Sequence, residues 1–154
     1  MILKKNYTSL DETLAYLKIQ VLDSLNFASR TCPKMEDPRD LFRWLKKRVR
    51  YQNDPKGIEL LQTMQTLFKR GGLGDCDCFV ITTLACCIVN DWDGLNIVLV
   101  GRSKVAPVHI YVSIDWNGER KVFDLTNRDF NHERDGYKYV QQLPVNWRNW
   151  VPIK

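Results

Sequence analysis

The apolar positions of the chain change period about half-way along. Leu10, Leu14, Leu17, Val21 and Leu25 recur on one helical face, and Ser9 with Glu12 has capping-box spacing, so a first helix is expected from there to about residue 28. Residues 30–36 hold Pro33 and read as a loop. Asp37-Pro38 opens a second helix with proline at its first position, and Leu41, Trp44, Leu45 and Val49 form its apolar stripe. Asp54-Pro55 and Gly57 mark a turn. Residues 58–68 are apolar at mixed spacing and read as a short helix that Gly71-Gly72 stops. Gly74-Asp75-Cys76-Asp77-Cys78 follows, and residues 79–89 then carry almost no charge. A helix that is apolar all round is buried on every side. Asp75 can cap it, which puts Cys76 at the first helical position.

From residue 95 the period is two. Residues 95–101 read as a strand, and 105–115 and 120–126 alternate on either side of Asn117-Gly118, the strongest short hairpin signal. Residues 137–143 read as a further strand, and the aromatic tail from Trp147 onward is expected to pack back on the body. Helices first and an antiparallel sheet after them is the α+β pattern. A chain of 154 residues holds one domain, 1–154, with a single core.

The hairpin fixes which residues share a face. With a two-residue loop, Trp116 pairs with Glu119, Tyr111 falls opposite Asp124, and His109 opposite Thr126. His109, Tyr111, Asp124 and Thr126 then lie on one face. Val108, Ile110, Val112, Ile114, Phe123 and Leu125 lie on the other, which is apolar and should point into the core. His109 and Asp124 become diagonal neighbours, roughly 7–8 Å apart in backbone position, within reach of an imidazole and a carboxylate. A one-residue slip would separate them. Cys76 completes the set. A thiol in the first turn of a helix meets the positive end of the helix dipole, which favours thiolate, and a neighbouring imidazolium would favour it further. Such a trio does nucleophilic acyl chemistry: Cys76 attacks, His109 moves the proton, and Asp124 orients the ring.

Composition narrows the setting. Hydrophobic residues are 44% and charged residues 27%, the profile of a soluble globular protein, and no apolar run approaches the ~20 residues of a membrane span. Two lysines near the start have no apolar segment behind them, so no secretory leader is expected and the cytoplasm is the expected compartment. Five cysteines, an odd number, argue against a disulfide framework. Cys78, Cys86 and Cys87 fall within the apolar helix and read as core; Cys32 lies in a loop without an assigned role. A metal site on these thiols has enough ligands, but the spacing lacks paired Cys-x-x-Cys knuckles. The net charge of +5 gathers at Arg39, Arg43, Lys46, Lys47, Arg48 and Arg50, which read as a solvated helix face, so nucleic acid is not expected as a partner. His132, in Asn131-His132-Glu133-Arg134, reads as an exposed loop residue.

Gly-Asp-Cys-Asp-x-Phe at 74–79, Val-His-Ile-Tyr-Val at 108–112 and Phe-Asp-Leu-Thr at 123–126, in that order, resemble the papain-related transglutaminase-like superfamily. Residues 49–55 and 59–62, with the glycines before Gly74, resemble its stand-alone bacterial and phage members. The resemblance covers about 38–127. It implies a papain-like core in which N-terminal helices and the cysteine-bearing helix pack on an antiparallel sheet. It implies Cys76 as nucleophile, His109 as base and Asp124 as orienting acid, with a protein or peptide substrate and no cofactor. Many relatives have an acidic residue where this chain has Cys78, and alanine where it has Val80. The expected reaction is acyl transfer through a thioester, hydrolysis before glutamine–lysine cross-linking. No acidic loop has calcium-site spacing. For the oxyanion, the Cys76 backbone N–H is a natural donor; Gln62, Tyr51 and Trp44 are candidates for a second, with Trp44 reading as core, and Asp75 is a candidate substrate contact. The rival reading is a catalytically silent binding module, in a phage a virion or assembly component.

Overall fold

The computed structural model describes residues 2–6, 10–56, 58–103 and 106–150. Ser9, Gly57, Val105 and the tail 151–154 lie outside them. The order is β1 (Ile2–Asn6), α1 (Leu10–Thr31), α2 (Pro38–Lys46), β2 (Arg50–Tyr51), β3 (Ile58–Gln62), α3 (Met64–Lys69), β4 (Leu73–Gly74), α4 (Cys76–Val89), β5 (Leu95–Ser103), β6 (Ala106–Trp116), β7 (Glu119–Phe123), β8 (Tyr139–Pro144) and a single 3-10 turn at Trp147–Asn149. This is a mixed α+β fold whose main sheet is antiparallel, in the order β7-β6-β5-β8.

α4 is the central element. Residues Cys78 through Ile88 are all buried, as an uncharged helix requires. α1 lies along it with Thr13, Leu17, Gln20, Val21, Ser24 and Ala28 buried, and it runs to Thr31, three residues beyond the expected end. α2 starts as expected: Asp37 accepts from the Arg39 backbone N–H at 2.8 Å, with Pro38 at the first position. Its buried set includes Phe42 where Trp44 was expected; Trp44 is half-buried beneath the Arg48 guanidinium, 3.9 Å from its ring. Of the basic stretch, Lys46 alone is half-buried; the others are exposed, as a solvated face should be.

The region 58–68 is the main departure from expectation. Its first half is strand β3, paired antiparallel with β1; only its second half is helical, from a cap at Thr63. Five apolar-rich residues cannot by themselves distinguish strand from buried helix. The strand partner comes from the start of the chain, more than fifty residues away. The stop at Gly71-Gly72 holds: both have positive φ, and a Cβ on Gly72 would sit 1.8 Å from the Arg48 carbonyl oxygen.

The β6–β7 hairpin has the expected register, Trp116 with Glu119 through Val112 with Phe123, around a turn in which Asn117 and Gly118 both have positive φ. β7 ends at Phe123, before the expected 126, because Asp124 turns the chain. Its carboxylate accepts the Thr126 backbone N–H at 3.0 Å, and its carbonyl accepts that of Asn127 at 3.0 Å. Ile110, Val112, Ile114, Phe123 and Leu125 join the main core as expected. Val108 does not: it is 61% exposed at an irregularity of the β5–β6 pairing, where Val100 pairs with His109 and Gly101 with Pro107, so that Val108 has no partner on β5 and leaves the alternation. The opposite face is covered too, where Val98, Val100, Tyr111 and Val122 form a second apolar cluster. The Trp147 indole packs back and donates to the Trp92 carbonyl at 2.9 Å. Among the described residues no helix is long and apolar enough to cross a membrane.

Candidate active site

The start of α4 meets the unpaired edge of β6. β7 pairs only with residues from Val112 onward, so the stretch from Ala106 to Tyr111 pairs with β5 alone among the described residues. Asp75 caps α4 as expected, its carboxylate accepting the backbone N–H groups of Asp77 at 3.2 Å and Cys78 at 3.4 Å. Cys76 therefore sits in the first turn, half-buried, and the Ile110 backbone N–H donates to its sulfur from that open edge. His109 is the neighbouring residue on β6. Cys76 and His109 line one cavity of about 120 Å³, walled by Leu10, Leu14, Leu99 and Val108, with Asp77 at its rim.

His109 and Asp124 are joined directly, Nε2 to Oδ2 at 2.7 Å, with 10% and 4% of their side chains exposed. The other carboxylate oxygen is held by Thr126, through its hydroxyl at 2.7 Å and its backbone N–H at 3.0 Å. Burial by itself would raise the Asp124 carboxyl; the bond to His109, the His109 charge and both Thr126 donors outweigh it and hold the group below the usual carboxylate range. An ionised Asp124 accepts from Nε2–H, which leaves Nδ1 as the nitrogen able to take a proton. The imidazole is braced by the Tyr111 ring, centroids 5.4 Å apart, and the Tyr111 hydroxyl is tied to Glu133 at 2.6 Å. Lys46 donates to the Leu125 carbonyl at 3.1 Å and places its positive charge near Asp124.

The thiol departs from expectation. Burial, then the charges of Asp77, Asp75 and Asp124, push the Cys76 thiol well up, against the single opposing Ile110 N–H. The helix-end position is outweighed here by burial of the sulfur and then by the carboxylate of Asp77 in the same first turn. Asp75 shares in this: burial and the charges of Asp77 and Asp54 push it up to about 8. The carboxylate oxygens of Asp54, Asp75 and Asp77 lie within 4.8 Å of one another, and Asp54 bonds to Asp75.

The remaining expected residues, Tyr51 and Gln62, both flank the Gly74 that precedes the Cys76 helix. The pairing of β2 with β4 sets Tyr51 beside Gly74, two residues from Cys76, with its ring 6.3 Å from Phe79. Burial and then the nearby Cys76 charge raise its phenol, so it stays a protonated donor. Gln62 is 2% exposed and spends its amide on the Leu73 carbonyl at 3.0 Å and the Cys78 sulfur at 3.5 Å, outside the walls of the Cys76 cavity. Cys78, Cys86 and Cys87 are buried, and His132 is exposed. Thr126 and Lys46 were not read from sequence as partners of Asp124. The Asp-x-Thr spacing of a side-chain turn was a visible signal for Thr126; nothing local pointed to Lys46.

No family model matches the chain, and no curated protein matches it significantly. Among solved structures it is similar to one described as "a Putative Cysteine Protease from Cytophaga hutchinsonii", with a TM-score of 0.51 at 12% identity, over 84% of this chain and 47% of that one. The chain thus spans about half the length of that protein. At such identity the likeness is one of fold, a mixed α+β architecture with an antiparallel sheet.

Proposed function

We propose that this chain is a thiol-dependent acyl-transfer enzyme on a papain-like, transglutaminase-like core, with Cys76 as nucleophile, His109 as base and Asp124 as the orienting acid. One observation carries the reading. The 2.7 Å His109–Asp124 bond stands beside a thiol that shares a cavity with the His109 ring. Because its surroundings hold Cys76 protonated, the sulfur loses its proton to His109 as it attacks the amide carbonyl. The Cys76 N–H and the Tyr51 hydroxyl are the proposed donors to the oxyanion. The imidazolium then gives the proton to the departing amine, leaving a thioester on Cys76. Water, deprotonated by the same imidazole, releases the acid and restores the thiol. We take hydrolysis of a peptide or isopeptide bond as the first reading and glutamine–lysine cross-linking as the second.

The test is to incubate the chain with glutamine- and lysine-containing peptides in H₂¹⁸O, quench in acid and analyse by mass spectrometry. A hydroxylamine-labile acyl group on Cys76 is expected, with ¹⁸O in the released carboxylate. It should be lost in His109→Ala and kept in His132→Ala. Dependence on His132 instead would overturn the assignment of the base. The silent binding module is favoured by one observation, the carboxylates that raise the thiol. Absence of both adduct and product in the wild-type chain would select it.

A further inference from the structure

The opposite end of α4 carries a second thiol site, unconnected with the acyl chemistry. Cys32 follows α1 directly, its backbone N–H donating to the Ala28 carbonyl at 2.8 Å, and its side chain is half-buried. It faces the last turns of α4. Asn90 donates from one amide nitrogen both to the Cys32 sulfur at 3.7 Å and to the Cys86 carbonyl at 2.9 Å. The Asn90 carbonyl oxygen accepts the Met35 N–H at 2.8 Å, and Lys34 reaches the Val89 carbonyl at 2.9 Å. The segment after α1 is thus stitched to the end of α4 on both sides of Cys32. Within that stitch the Cys86 thiol donates to Met64 Sδ at 3.8 Å and interacts with the Cys32 side chain, whose sulfur is held at 3.7 Å by the same Asn90 nitrogen that binds the Cys86 carbonyl.

We infer that Cys32 and Cys86 form a two-thiol oxidation site, in which a peroxide oxidises Cys32 and Cys86 resolves it to a disulfide tying α1 to α4. The roles follow from the surroundings. Cys32 is within reach of solvent; its S–H faces the Pro33 carbonyl at 3.5 Å, while the interaction with Cys86, the Asn90 amide and the Lys34 charge outweigh burial and lower its thiol. Cys86 is wholly buried and its thiol is raised, so it does not meet the oxidant itself. In the first step the Cys32 thiolate attacks a peroxide oxygen; the O–O bond breaks, sulfur becomes sulfenic acid, and hydroxide leaves. In the second the Cys86 thiol gives its proton to that hydroxide, forming the first water, and its sulfur displaces hydroxide from Cys32–SOH to form the S–S bond; this hydroxide takes up the proton that Cys32 released on ionising and becomes the second water. One peroxide is reduced to two waters for two thiols oxidised. Accessible, low-pKa thiols beside a resolving cysteine are the ones that oxidise reversibly. The Asn90 bridge, which binds the Cys32 sulfur and the Cys86 carbonyl through one nitrogen, holds the two residues together and supplies the high effective concentration that a raised resolving thiol needs.

The full chain, reduced and then treated with hydrogen peroxide, is digested without reductant and mapped by mass spectrometry. A Cys32–Cys86 peptide pair is expected as the main linkage, reversed by dithiothreitol, absent in Cys32→Ser and still formed in Cys76→Ser. In Cys86→Ala, Cys32 should pass on to sulfinic acid, whereas the wild type is protected at least about tenfold. Sulfinic acid on Cys32 of the wild-type chain without a linkage, or a main linkage to Cys87, would overturn the inference. Because Cys76→Ser retains the site, failure here is separate from failure of the proposed acyl chemistry.

Discussion

The two ends of α4 present the same functional group in opposite circumstances. At the N-terminal end, Cys76 occupies the position where a helix favours anions, yet burial and the carboxylates of Asp77, Asp75 and Asp124 raise its thiol. At the C-terminal end, Cys32 lies just past α1 and against the last turns of α4, where helix dipoles oppose a thiolate, yet its donors lower it. Immediate partners outweigh helix ends at both sites. The dipole is worth about 0.3–1 kcal/mol at partly exposed positions. Hydrogen bonds to charged groups contribute about 1.5–3 kcal/mol, and unlike the dipole they are set by tertiary neighbours. The two thiols therefore suit different work. Cys76 needs a base to act, and one stands beside it; Cys32 needs only an oxidant.

That contrast can be broken most directly by removing the base. His109→Ala should lower turnover, or formation of the Cys76 adduct, by roughly 10²–10⁴-fold while leaving the alkylation rate of Cys32 unchanged, measured residue by residue with iodoacetamide. Equal loss at both thiols would mean that the variant unfolds and the comparison fails. Thr126→Val comes next. It removes one of the two donors on the far oxygen of Asp124, and a lost bond to a charged group corresponds to about a ten- to hundredfold drop in kcat with KM little changed.

pH sharpens the same contrast. A raised thiol gains thiolate only as pH climbs well past the ordinary thiol range, whereas a lowered one levels off earlier. Alkylation of Cys76 should keep rising with pH after that of Cys32 has reached its plateau. Asp77→Asn removes the largest charge acting on Cys76 and should move its profile to lower pH without moving that of Cys32. Asp75 yields the smallest effect, and one on stability. Its folded pKa of about 8 exceeds the unfolded value of 3.8, so the folded state holds the proton more tightly. Its contribution is present in full below about pH 4 and is lost as pH rises through about 8. Asp75→Asn, which keeps a capping side chain, should flatten the fall in denaturation midpoint across that window.

Much of the candidate site was legible from the chain because its signals are local. Asn117-Gly118 set the hairpin register, which carries β7 back along β6 as far as Phe123, and the turn at Asp124 then sets its carboxylate on His109. Asp75 before an uncharged stretch set the helix start and the position of Cys76. The misreadings share one cause, dependence on distant partners. β3 is a strand because β1 pairs with it. Val108 is exposed because the pairing of β6 with β5 shifts register at it.

The sequence by itself determined the helix that carries Cys76, the turn that pairs β6 with β7, and the alternation that sorts their side chains. These depend on backbone preferences and periodicity within a few residues. Only the tertiary structure decided the electrical state of the thiols and the identity of their partners. A pKa is set by desolvation and by charges several ångströms away, and those neighbours come from elements that the chain order leaves far apart.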